Sequence, residues 1–75
     1  MSVLQWETMP VDNVQPFDLI RVCTLDGCSR IRRVYHLEPC GDGQFMSVLW
    51  FGWDDGTPVR GECVLRAGDR VEVAR

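Results

Sequence analysis

"FMSVLWFGWDDGTPVRGECVL", residues 45–65, decides how this chain is read. Two runs rich in β-branched and aromatic residues flank the turn-forming stretch "DDGTP", and runs of that kind split by Asp-Gly are the signature of a β-hairpin. In the second run Val59, Gly61, Cys63 and Leu65 alternate with Arg60, Glu62 and Arg66. The first set is therefore expected to point inward. The first run obeys no such one-sided rule. Phe45, Leu49 and Phe51 fall on one face, and Met46, Val48 and Trp50 on the other. A strand apolar on both faces must be covered on both, or must leave one for something else.

The same pattern extends outward from this hairpin. "LIRVCT" precedes Asp26-Gly27, "SRIRRVYHL" precedes "EPCGDG", and "RVEVA" follows "RAGD". Ile20 and Val22, and later Val71 and Val73, read as inward sets. Ile31 fits the inward set of the second strand, while Arg32-Arg33 break the period before Val34, which predicts a β-bulge there. Five short strands at this spacing predict an all-β chain, and the pattern resembles an SH3-like or Tudor-like small barrel. Residues 17–75 would form that barrel. Residues 1–16 would form an apolar arm offering Val3, Leu4, Trp6, Met9, Val11 and Val14, with Phe17 just beyond it, to cover the third strand. Pro10 and Pro16 exclude one continuous helix across this stretch.

Seventy-five residues make one domain at the lower edge of independent stability. A core of this size supplies roughly 3–5 kcal/mol of net stability, and little volume remains for an enclosed active site. With 45% hydrophobic and 25% charged residues, the chain is neither disordered nor membrane-spanning in composition. No apolar run reaches the length of a spanning helix. The start, "MSVLQWETMP", has no secretory character, so the expected location is the cytoplasm, and the four cysteines are expected to be reduced, small hydrophobic residues.

The net charge of −3 is unevenly spread. Residues 1–18 carry −3, residues 19–36 carry +3 and residues 37–75 carry −3. A basic island thus sits inside an acidic chain. Arg30 and Arg32 would alternate onto one strand face, with Arg21 across the hairpin and Arg33 near, and such a patch could hold phosphates or carboxylates. Overall acidity and the lack of lysine weigh against nucleic acid, and cross-strand pairs with Glu62 or Glu72 would account for the same arginines.

Trp50, Trp53 and Tyr35, with Phe51, stand near Asp54 and Asp55. These are the ingredients of a surface that receives a cation or a protein partner, and equally of ordinary packing. Cys23, Cys28, His36 and Cys40 have the ligand types for zinc but lack the C-x2-C spacing of a zinc knuckle. A Cys23–Cys28 disulfide requires a four-residue hairpin loop. One histidine, no phosphate loop and no nucleophile-base arrangement make an enzyme unexpected, and no cofactor is implied. Asp54 and Asp55 are adjacent, so in extended chain they face opposite ways.

The expected function is that of a non-enzymatic protein-binding module, an adaptor or inhibitor that occupies a surface of a larger partner. An acidic mini-protein of this kind suits the blocking of a basic, nucleic-acid-handling surface, as small phage-encoded inhibitors do. The alternative is a nucleic-acid-binding barrel using the arginine hairpin, with Tyr35 and Trp50 as stacking platforms. Homodimerisation through the third strand or the arm would hide the rings behind a second copy.

Overall fold

The computed structural model describes residues 5–23, 27 and 29–74, with the side chain of Cys23 excepted. These residues form an all-β protein of six strands: β1 (Trp6–Pro10), β2 (Leu19–Cys23), β3 (Ser29–Cys40), β4 (Phe45–Asp54), β5 (Thr57–Arg66) and β6 (Arg70–Ala74). A short 3-10 turn, Val11–Asn13, follows β1. All pairings are antiparallel, in the order β1-β6-β2-β3-β4-β5.

The expected fifth strand has become a sixth because the N-terminal arm is itself a strand. β1 pairs along the whole of β6, Trp6 opposite Ala74 and Pro10 opposite Arg70. It does not stack on β4 as a separate layer, and it covers the inner face of β4 only through the core that Met9, Val11 and Val14 share with Val48. Pairing with β6 satisfies the backbone groups on one side of this strand and sends Met9, with Val11 and Val14 just beyond, into the core beside Ile20, Val34, Val48 and Val73. Among the described residues β1 and β5 are the two edges and do not pair with each other, so the sheet is not closed into a barrel.

The hairpin read from residues 45–65 is present, and its turn fixes the phase of the sheet. Asp55 and Gly56 have φ of 50° and 79°, and Asp54 pairs with Thr57, which is a two-residue type I′ turn. From it β4 and β5 run in unbroken register back to Phe45 opposite Arg66. Met46, Val48 and Trp50 face inward, with Val48 fully buried, while Phe45, Leu49 and Phe51 face outward.

Two expectations about β3 are overturned. Ile31 is 50% exposed and Arg32 is 4% exposed, so the arginine and not the isoleucine points inward. The register explains it, because Arg32 stands opposite Ile20, a core residue, and shares its face. The bulge is also displaced. The β3–β4 register shifts between Val34 and His36, making Tyr35 the extra residue.

Candidate functional site

The inner face of β3 and β4 carries a buried cation. The Arg32 Nη2 donates to both carboxylate oxygens of Asp54, at 3.0 and 3.1 Å, and the guanidinium carbon lies 4.9 Å from the Trp50 ring centroid. Two glycines make room for this stack. A Cβ at Gly52 would come within 2.8 Å of Arg32 Nη1, and one at Gly61 within 2.4 Å of the Trp50 six-membered ring. Arg32 Nε and Trp50 Nε1 are buried with no hydrogen-bond acceptor. Stacking on the ring and the half-exposed Asp54 carboxylate compensate the buried charge.

The outer face carries the aromatic row. The bulge turns Tyr35 toward Phe51, with centroids 6.0 Å apart, and Phe51 meets Trp53 edge-on at 6.1 Å. Trp53 is 62% exposed and Tyr35 is exposed as well. Ile31 and Phe17 add further exposed apolar surface. Phe17 lies in a turn closed by the Asp18 N–H donating to the Gln15 carbonyl at 3.1 Å, with Pro16 before it, and its φ is 74°. That is a type II position that favours glycine, yet it holds a ring 68% exposed.

The predicted site residues thus separate. Tyr35 and Trp53 belong to the outer row. Trp50 faces inward beneath Arg32 and is not a free stacking platform. Asp54 is bound to Arg32, and Asp55 sits in the turn. The arginine patch is not assembled. Arg21 pairs with Glu72 at 3.2 Å and lies 4.6 Å over the Trp6 ring, and Arg33 donates to the Phe17 carbonyl at 2.7 Å. Arg30 borders a hollow of about 250 Å³ with Trp53, Asp54 and Asp55. Phe51, read from the sequence as a companion of the other rings, is the centre of the row; Phe17, read there only as part of the apolar cover, was not among the expected site residues.

A second concavity opens where β2 and β6 part. They pair only at Leu19–Ala74 and Ile20–Val73, and beyond that point a cleft of about 370 Å³ reaches between them to Cys63 and Leu65 of β5. Ile20, Val22 and Val71 complete its apolar wall, and the Arg21–Glu72 ion pair stands at its rim. Burial, with the Glu62 carboxylate beside it, pushes the Cys63 thiol above its ordinary value. Cys63 and Cys40 are free thiols.

Cys28 and the side chain of Cys23 lie outside the described residues, so the Cys23, Cys28, His36 and Cys40 set weighed for zinc, and the conditional Cys23–Cys28 bridge, do too. The register sets Cys23 opposite Ser29. His36 approaches Glu38 at 3.7 Å. Among the described residues no cluster of three metal-ligating side chains forms, and no helix is long and apolar enough to cross a membrane. No family model, curated protein or solved structure matches the chain.

Proposed function

We propose that this chain is a non-enzymatic protein-binding module, an adaptor or inhibitor whose docking face is the outer row Tyr35–Phe51–Trp53. One observation carries the reading: a half-buried Phe51 touches the exposed rings of Tyr35 on one side and Trp53 on the other, on a sheet that has its core on the other face. Large rings presented at low entropy cost are the usual anchors of protein interfaces. Asp55 at the adjoining turn, and Arg33 and Arg60 opposite Phe51 in the register, supply a polar rim. We read the strand order β6-β2-β3-β4-β5, a four-strand meander whose first strand is rejoined by the last, as an SH3-like barrel left open.

Nucleic acid is the weaker reading, since Arg21, Arg32 and Arg33 are each engaged within the chain and Trp50 is turned inward. The test is affinity capture from lysate with and without nuclease, using wild type and a Phe51→Ala/Trp53→Ala variant shown to be folded by circular dichroism. A nuclease-resistant protein retained by wild type and lost by the folded variant supports the reading. Capture that vanishes with nuclease, or that the variant retains, overturns it.

A further inference from the structure

The long edge of the sheet suggests a partner of its own. Among the described residues β5 is a ten-residue edge strand, and the two-residue turn determines which of its backbone groups point away from β4. Such a turn closes on Asp54–Thr57 as a hydrogen-bonded pair. With the register unbroken, Thr57, Val59, Gly61, Cys63 and Leu65 then bond to β4. The N–H and C=O groups of Arg60, Glu62 and Val64, and the C=O of Pro58, point away from the sheet. Their side chains lie on the outer face and are exposed, Val64 by 54%.

We propose that β5 pairs antiparallel with β5 of a second copy, across a two-fold axis that sets Gly61 opposite Gly61 and Arg60 opposite Glu62. Free edge groups must meet free edge groups, which restricts the register to steps of two residues, and charge selects among them. Centring the axis on Arg60 or Glu62 opposes like charges, as does the register that sets Arg60 against Arg66. Centring it on Val64 would pair Glu62 with Arg66, but the Arg66 N–H already donates to the Asp69 carboxylate at 3.1 Å, and the strand ends there.

The Gly61-centred register pairs the charges and all the free groups except the Val64 carbonyl, which faces a proline without an N–H. The Arg60, Glu62 and Val64 N–H groups of each copy find the Glu62, Arg60 and Pro58 carbonyls of the other. Two Arg60–Glu62 pairs form, and Pro58 meets Val64 on either side of them. Glu62 already accepts a hydrogen bond from the Ser47 hydroxyl through one oxygen, which orients it and leaves the other for the incoming guanidinium. The aromatic rows of the two copies then lie on one continuous face, three strand spacings apart at β4, on the order of 14 Å. This pairing does not depend on what the rows bind.

Sedimentation velocity over a concentration series, with amide hydrogen exchange on the same samples, tests it. Wild type is expected to dimerise with concentration, with protection of the Arg60, Glu62 and Val64 amides rising in step. R60E places two acidic pairs across the axis, and E62R two basic ones, so each is expected to stay monomeric; the double swap R60E/E62R is expected to dimerise again. Both positions are exposed, and circular dichroism checks each fold. A wild type that stays monomeric overturns the proposal and leaves the edge to a strand of another protein. A dimer indifferent to R60E, or a swap that fails to restore pairing, overturns it equally.

Discussion

The guanidinium of Arg32 lies 4.9 Å over the Trp50 ring and is 4% exposed, while the Asp54 that neutralises it is half-exposed. The two charges of this pair therefore have unequal alternatives. Freed of its partner, Asp54 can be hydrated where it stands. Arg32 cannot without leaving the core.

Asp54→Ala is accordingly expected to cost about 3 kcal/mol, because it strands a buried cation, whereas Arg32→Met should stay within about 1 kcal/mol of wild type. For a domain of this size the first loss is most of its stability. Urea denaturation of the two variants checks the ranking. The reverse order would mean that the guanidinium acts by packing on the ring and not by its charge.

Gly61 has no room for a methyl group, since a Cβ would meet Trp50 at 2.4 Å. Gly61→Ala is expected to destabilise by about 1–3 kcal/mol, and a second change, Trp50→Phe, to recover part of that by shortening the ring. Costs that simply add across the pair would contradict the contact.

The raised thiol of Cys63 gives a pH dependence with a definite sign. The unfolded chain loses this proton at the ordinary thiol value, while the folded chain still holds it. Folding thus binds the extra proton, and stability falls as pH rises from the ordinary thiol value toward the folded one. Denaturation midpoints measured through this window should decline for wild type. They should decline less for Cys63→Ala, and an identical slope would remove Cys63 as the cause.

Phe17 holds φ of 74° with its ring largely in water. Phe17→Gly is expected to leave stability unchanged or to raise it by up to about 1 kcal/mol, since glycine adopts this backbone freely and little burial is lost. Thermal melts decide it. A clear loss would show that the ring is packed more tightly than its exposure implies.

What the sequence made legible follows from where each partner lies. The β4–β5 hairpin, its inward Val59, Cys63 and Leu65, and the two-sided apolar character of β4 were readable because neighbours along the chain determine them. The inward turn of Arg32 was not. In "SRIRRV" the alternation favours an inward Ile31, and only Asp54, 22 residues away, and Trp50 make the opposite phase tolerable. The place of the arm was hidden for a similar reason, since β1 pairs with β6 at the far end of the chain. The expected site residues therefore did not form one surface. Arg32 is buried on Trp50 and held by a half-exposed Asp54, and Tyr35 and Trp53, joined by Phe51, remain outside.

That division is most directly tested by the indole N–H resonances of Trp50 and Trp53, followed while the captured partner is titrated into isotope-labelled protein. Docking on the outer row predicts that the Trp53 indole shifts or broadens with saturation while that of Trp50, under Arg32, stays in place. A partner that saturates the protein and leaves the Trp53 indole unmoved would contradict the account.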